Sequence, residues 1–482
     1  MRKRGVITVY TAISLALVIS LFLALLEAAR VTSMMTMYEE HIDLAAENVM
    51  AHYNRKVFKE SGLFVRKYTD ELKSEMNEYL NRDEKEDERD LLRGKECEVT
   101  ELNYRLMTDD GGKVYRKMAA SYLTSAIPNG YRDKLEEISN NYLVAKEYID
   151  GIEIGKLMEK AINAVMAAIE YAQSHLYKKT TDANGNEVVE VDPAMQAALD
   201  ALNSSEIMDY PSKKASIGIK LVVPDGFKIS TGRKLLYKPL MERSLNAGNM
   251  EPVESNDVES TLQVIYALLN TKSAVEYSKA EKNSGKAGTS VEKDDNLNYE
   301  LEYILCGALT DYDNLDKTIK RLLIFREGVR YLSNLSNPYT VARAQVIATA
   351  LVSFTGIPAL IPLVKHGLLI CWAFVEAADD CKILLGGHRV PLLPLPQIGI
   401  TLDLNYREHI GIMMLPMESK KISFRSMDIL EEKTGVKADS LICAISGKVD
   451  VKTLPRISKA ILMFKVPDFM LERSYEFLKQ TY

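Results

Sequence analysis

At 482 residues, 47% hydrophobic and 27% charged, with a net charge of −6 at pH 7, the chain is long enough for several hydrophobic cores. Those values exclude a disordered or collagenous chain. The mild acidity argues against a general nucleic-acid binder, which needs a basic stripe to displace counterions from phosphates.

The N-terminus carries the strongest local signal. Met1 to Arg4 reads MRKR, and Val6 to Ala29 is apolar apart from Thr, Ser and Tyr residues and Glu27. A run of about 24 residues exceeds the roughly 20 that cross a hydrocarbon core of about 30 Å as a helix. A cleaved signal peptide has a shorter apolar region and a small-x-small site. The exit LALLEAARVTS offers no such box, so an uncleaved anchor over residues 6–29 is expected, touching the lipid bilayer. Arg2, Lys3 and Arg4 precede the span, whereas Glu39, Glu40, Asp43 and Glu47 follow it with Arg30 as the only nearby cation. The positive-inside rule then puts the N-terminus in the cytoplasm and the bulk of the chain outside the cell membrane. Glu27 falls at the outer edge, within reach of water or Arg30.

Past the span, Val31, Met34, Tyr38, Ile42, Ala45, Val49, Tyr53 and Val57 recur at steps of three and four, the stripe of an amphipathic helix. Gly62 is the expected stop. A single helix of roughly 50 residues would be about 75 Å long.

Residues 66–175 read as mainly helical. Within them, Asn81 to Asp90 is a solvated run of mixed charge, and Met158 to Tyr177 an amphipathic core helix. Thr180 to Pro193 carries an Asn184-Gly185 turn signal with alternation after it, a hairpin pattern. Asp182, Asn184 and Asn186 imitate the start of a calcium loop, but Glu187 stands where its glycine is required. Ser216 to Ser230 predicts two strands about a Pro-Asp-Gly turn, and Glu281 to Asn298 an exposed loop.

From Tyr299 a second helical body is expected. Asn314 to Leu335 is amphipathic, and Val341 to Phe354 pairs with Ile361 to Asp380 across Thr355-Gly356-Ile357-Pro358. Arg343, Lys365 and His366 interrupt this pair, and Gly367 to Val375 is too short to span, so a buried helix pair is expected rather than a re-entrant one. Gly386-Gly387 ends the helix, and Val390 to Pro396 is extended. Tyr406 to Leu415 and Ile422 to Glu432 read as helices, and Ser440 to Val451 as a strand with Ile457 to Lys465 a plausible partner.

The chain carries no HExxH, GxSxG, Walker A or GxGxxG signature. Ser446-Gly447-Lys448 lacks the upstream glycine of a phosphate loop. The six histidines are scattered, and His41 and His52 suit surface or packing roles. Cys97, Cys306, Cys371, Cys381 and Cys443 are odd in number and widely spaced, which predicts buried free thiols rather than disulfides or a zinc site. One charge cluster stands out: Glu376, Asp379 and Asp380, with Arg326, Arg330 or Arg389 as partners that would fix helix docking. Its sharper alternative is a carboxylate dyad for acid/base chemistry. No cofactor is expected.

Seven pieces together resemble a bacterial family of unknown function, single-span proteins often encoded beside Tad (tight adherence) pilus machinery. They are RGVITVY (Arg4 to Tyr10), LLEAARV (Leu25 to Val31), YNRKVFKESGLF (Tyr53 to Phe64), EYILCG (Glu302 to Gly307), WAFVEAADDCKILLGGHRVPL (Trp372 to Leu392), LNYREHIGIMM (Leu404 to Met414) and SFRSMDIL (Ser423 to Leu430). The resemblance covers roughly the first 65 residues and Tyr299 to about Ile445. The segment between carries none of it. The N-terminus also resembles Tad pseudopilins, which implies cleavage by a prepilin peptidase after Gly5, leaving Val6 first. Pilins usually carry Glu at the fifth mature position, where Tyr10 stands here.

The resulting expectation is an α+β, predominantly helical protein: a long N-terminal transmembrane and amphipathic helix, then a helical extracytoplasmic body with a small antiparallel β part. The divisions are 1–5 basic tip, 6–29 span, 30–64 helix extension, 65–178 helical, 179–298 mixed β/loop insertion, and 299–482 helical body with C-terminal strands. The function expected is a non-catalytic structural or accessory component of a Tad-like pilus or secretion assembly, with other membrane and pilus-assembly proteins as partners. A tethered surface-binding protein is the alternative, and a membrane-anchored enzyme the third.

Overall fold

A computed structural model describes residues 2–81, 96–126, 155–174, 177–181, 187–191, 193, 196–197, 199–200, 210–230, 234–283, 297–353, 357–392, 403–453 and 471–481. In chain order the elements are α1 (Arg2–Ala51), α2 (Arg55–Ser61), β1 (Arg66–Lys67), α3 (Leu72–Asn81), β2 (Glu96–Leu106), α4 (Asp109–Ala126), α5 (Gly155–Ser174), β3 (Tyr177–Thr181) and β4 (Glu187–Val191). There follow α6 (Tyr210–Ala215), α7 (Ile219–Val222), α8 (Asp257–Asn270), α9 (Ala274–Asn283), α10 (Glu300–Cys306), α11 (Asp311–Ser336), α12 (Pro338–Ser353) and α13 (Ile361–Leu385). The chain closes with β5 (Val390–Pro391), β6 (Asp403–Leu404), α14 (Tyr406–Met414), α15 (Ser419–Thr434), β7 (Leu441–Thr453) and β8 (Leu471–Gln480). The protein is thus mainly helical, with a small antiparallel β part and a long apolar N-terminal helix.

The chain divides into two compact units: residues 1–125, 242–256 and 433–482 form the first, and 126–241 with 257–432 the second.

In the first unit, β7 is the central strand. It pairs antiparallel with β2, with β8 and, over two residues, with β1. Its inward residues Ile442, Ile445, Val449 and Val451 meet Tyr475 and Phe477 of β8, Leu72, Met76 and Leu80 of α3, and the stripe Met34, Met35, Tyr38, Ile42, Ala45, Ala46, Val49 and Met50 of α1. The second half of α1 is therefore a core element of this unit. The Tyr475 hydroxyl donates to the Met35 carbonyl at 3.0 Å, and Lys479 pairs with Glu47.

The helix expected to run on to Gly62 stops at Ala51. The Asn54 side chain accepts from the amides of Lys56 and Val57, and so caps a new helix, α2. Arg66, paired with Glu75, donates to the Val49 carbonyl at 2.5 Å and so occupies one of the free carbonyls at the end of α1. Gly62 ends α2, at a left-handed φ of 70°. The segment expected to be mainly helical contains the 11-residue strand β2. Pairing with β7 satisfies its backbone, and a register shift at Val99/Glu101 gives it a bulge.

The second unit is built on α13. Leu368 to Phe374 and Ala377, Ala378, Cys381, Leu384 and Leu385 are buried in a core shared with α5, α11 and α12. The expected helix pair therefore packs as a buried one over most of α13. The two strands expected in Ser216 to Ser230 are not formed. Ile219 and Val222 pack into the core from one helical turn, α7, and Asp316 Oδ1 accepts from the Ile219 amide at 3.3 Å. The hairpin expected near Thr180 is present as β3–β4, in register Tyr177↔Val191, and is a separate two-stranded sheet.

The Asn184-Gly185 turn, the charged run after Asn81, most of Glu281 to Asn298, Thr355-Gly356, Leu393 to Pro396 and Ile457 to Lys465 lie outside the described residues. All five cysteines are free and buried.

Candidate functional site

Three groups of residues bear on function, the first being the opening half of α1. Ile7, Val9, Tyr10, Ile13, Leu15, Leu17, Val18, Ile19, Leu21, Phe22, Leu25 and Leu26 are all exposed, so this half is apolar around its circumference. Two of its hydroxyls bond within the helix: Thr11 donates to the Ile7 carbonyl at 3.0 Å and Ser20 to that of Leu17 at 2.9 Å. At the far end Arg30 pairs with Glu27 at 2.6 Å, which neutralises both charges. Gly5, Val6 and Tyr10 lie on the first turns of α1, and Tyr10 is 73% exposed.

The second group is the charge cluster, and the structure brings part of it together. Asp380, buried, takes two guanidinium groups. Arg326 reaches its Oδ2 through Nε at 3.0 Å and Nη2 at 2.5 Å. Arg330 reaches Oδ2 through Nε at 2.7 Å and Oδ1 through Nη2 at 2.5 Å. Arg326, fully buried, spends Nη1 on the carbonyls of Pro391 at 2.8 Å and Leu392 at 3.2 Å. Glu376 sits 3.9 Å from Arg330, and burial raises its carboxyl above the usual range. Asp379 turns outward to Lys382, and Arg389 leaves the cluster for Glu408 at 2.9 Å. Both oxygens of Asp380 are held by guanidinium groups, and the cluster ties α11 to α13 and to the strand β5.

The third group is α10, which sequence reading did not single out as a site. Glu300 accepts from the Lys272 amide at 2.9 Å and Glu302 from the Ala274 amide at 2.8 Å, which holds the turn between α8 and α9. The Tyr303 hydroxyl donates to Asp428 of α15 at 2.8 Å. Arg425 donates to the carbonyls of Ile304 at 2.8 Å and Leu305 at 2.9 Å. Gly307 ends the helix at φ 66°, and a Cβ there would collide with the Arg425 guanidinium. Glu302 is wholly buried, and burial pushes its carboxyl up to about 7, with the Tyr406 hydroxyl beside it. Burial likewise holds the His409 imidazole down at about 4, and its Nδ1 lies 2.8 Å from the Asn405 carbonyl.

Several of the motifs supply packing contacts. EYILCG and SFRSMDIL meet at Tyr303–Asp428 and Arg425. LNYREHIGIMM supplies a capping box in which the Asn405 and Glu408 side chains bond each other's amides, and Arg407, which pairs with Glu276. The Asn-x-x-Glu spacing of that box was legible in the sequence and went unread. Ser446-Gly447-Lys448 lies within β7, beside an open groove of about 490 Å³ in the first unit. Gly447 is required because a Cβ would strike the Glu101 carbonyl on β2. His41 packs edge-on to Tyr38, and His52 lies 3.3 Å from Glu75.

A family of unknown function (DUF5702) has a model that matches residues 202–394, less than half of the chain. The match takes in α6 to α13, and so includes residues 202–298, where no family resemblance was expected. No curated protein and no solved structure matches the chain.

Proposed function

We propose that the chain is a non-catalytic structural or accessory component of a Tad-like pilus or secretion assembly. It is anchored by α1, with its N-terminus in the cytoplasm and the chain beyond the span outside. The observation that carries this reading is the division of labour along α1. One half is apolar on every face and exposed, while the other is built into the core of the first unit. A helix embedded at one end in a folded body transmits the position and orientation of that body to whatever holds its other end. A flexible tether would not. The structural employment of the motif residues Tyr303, Arg425, Asp428 and Asp380 supports a scaffold role.

The half available for lateral packing is residues 7–26, because the Met34 to Met50 stripe is already occupied within the chain.

The deciding experiment is intact mass and N-terminal sequence of the protein from native membranes, with photo-crosslinkers placed between Ile7 and Leu26. A chain beginning at Val6 that crosslinks to other membrane subunits is the expected result. A chain that keeps MRKR and crosslinks only to lipid would discard the pilus reading and leave a tethered surface-binding protein.

A further inference from the structure

Residues 54–65 form a compact loop closed at its neck, where the Asn54 amide donates to the Val65 carbonyl at 2.7 Å. Its inner side is fixed. Val57, Ser61, Leu63 and Val65 are buried, and the Ser61 hydroxyl donates to the Val57 carbonyl at 2.7 Å while accepting from the Leu63 amide at 3.2 Å. On the other side three aromatic rings meet. The centroids of Phe58 and Phe64 are 4.5 Å apart, and Tyr53, at the neck, lies 5.3 Å and 5.2 Å from them. Phe64 is 46% exposed, and the other two are half-buried. Arg55, Lys56 and Lys59 are exposed on the same loop, which has Glu60 as its single acidic residue, and none of the three has an ion-pair partner among the described residues. Such rings supply contact area, while uncommitted cations set the charge required of whatever covers them.

The same unit presents the complement. Val449 and Val451 of β7 point inward to α1, so Lys448 and the residues opposite it, Glu101 on β2 and Glu476 on β8, lie on the outer face of the sheet. Glu98 and Asp450 share that face. An open groove of about 490 Å³ runs over it, edged by Glu101, Glu251 and Glu476, with Met250 and the 57% exposed Leu478 as apolar surface. Lys448 reaches Glu476 at 3.4 Å, but Glu98, Glu101 and Glu251 are exposed and have no ion-pair partner among the described residues.

We propose that this groove receives the aromatic, cationic loop 54–65 of a second copy of the chain. Unpaired cations beside exposed rings on one surface match unpaired carboxylates beside apolar surface on the other. One molecule does not bring the two together within itself. Arg66, just past the loop, pairs with Ile442, and Gly447 in the groove is five residues farther along β7, or about 16 Å. Two loops do not suit each other, because both are cationic. Lipid is out of reach: Val31 to Ala51 adds about 30 Å of helix between the span and the loop.

The heights also agree. Lys479 of β8 pairs with Glu47, and the loop begins just after Ala51, about 6 Å farther along α1. Copies standing parallel in one bilayer therefore present loop and groove at nearly the same level. This height match rests on the reading of α1 as an anchor, and the contact is additional to the packing proposed for residues 7–26.

The test co-reconstitutes two differently tagged full chains in vesicles of neutral lipid. One carries Glu60→Cys on the loop and the other Gln480→Cys at the groove, the five native cysteines being buried. A short bis-maleimide is then added. The expected result is a crosslinked pair carrying both tags, several-fold stronger than the pair formed by two Glu60→Cys copies. Lys56→Glu with Lys59→Glu on the loop copy should weaken it several-fold, and Glu98→Lys with Glu101→Lys on the groove copy should restore it. A crosslink no stronger than the loop-to-loop control, or one indifferent to charge reversal, overturns the contact. Weakening without restoration would mean that the loop meets some other acidic surface, which also overturns it. If crosslinks from residues 7–26 to other subunits persist while the loop-to-groove crosslink is absent, this contact falls and the assembly reading stands. If neither forms, both fall.

Discussion

The hydroxyl of Tyr303 donates a 2.8 Å hydrogen bond to Oδ2 of Asp428, whose Oδ1 accepts from the Leu240 amide at 2.8 Å. One buried carboxylate thus joins α10, α15 and the segment before α8. Tyr303→Phe keeps the ring and removes this hydrogen bond to a buried carboxylate. The expected loss is about 1–3 kcal/mol in chemical denaturation. No measurable loss would mean that the Tyr303 bond is not needed to hold Asp428.

Asp380→Asn should be more damaging. It removes the negative charge from between two guanidinium groups and leaves Arg326, which has no solvent exposure, without its counter-ion. Breaking a buried pair from one side costs about 3–5 kcal/mol. The double variant Arg326→Met with Asp380→Leu should recover part of that loss, because Arg330 can still pair with Glu376. Denaturant midpoints of the single and double variants would measure it.

Charge placed on α1 should act differently along its length. Ile42→Asp puts a carboxylate into the packed core of the first unit, so loss of folding, read by limited proteolysis and circular dichroism, is expected. Val18→Asp, on the exposed half, should leave the fold intact and reduce membrane retention or subunit crosslinking. If Ile42→Asp folds normally and only assembly fails, the stripe makes contacts between chains instead.

The pH dependence of stability contains opposing contributions. Burial raises the carboxyls of Glu302 and Glu432 to about 7 from 4.5. The folded state therefore holds protons that the unfolded chain has released, and stability falls as pH rises from about 4.5 to about 7. His409, lowered to about 4 from 6.5, works the other way: the unfolded chain binds the proton, so stability rises with pH across that window. Glu302→Gln keeps an acceptor for the Ala274 amide and removes the ionisation. Its melting temperature should gain on wild type between pH 5 and pH 7.5, by an amount on the order of a few kcal/mol in stability. Parallel curves for the two proteins would place the Glu302 carboxyl in the ordinary range.

Much of the helical content was legible. α11, α13, α14 and α15 follow from apolar spacing, and Gly386-Gly387 ends α13 as expected. The Asp380 cluster was legible in outline, since residues four apart share a helix face. Which arginines it takes was not, because Arg326, Arg330 and Arg389 are equally plausible along the chain. β2 and β8 were missed although both alternate. Val99, Leu106, Tyr475 and Phe477 are buried, but the strands sit in polar stretches where period two is weak. The break after Ala51 was hidden because Tyr53 and Val57 continue the helical period. Asn54 in that stretch was the available sign.

Local patterning was enough to establish the apolar N-terminal helix, the amphipathic stripe behind it and the helical second body, because each depends on side chains within a few turns of one another. The burial of that stripe depended on contacts that no local pattern encodes. β2 pairs with β7 across more than 300 residues, placing Cys97 opposite Val451, and β8 returns to cover α1. The same periodicity serves a helix that packs against its own sheet and one that packs against a neighbouring subunit. Only the long-range closure of the chain distinguishes the two, since it decides which apolar surface is already covered.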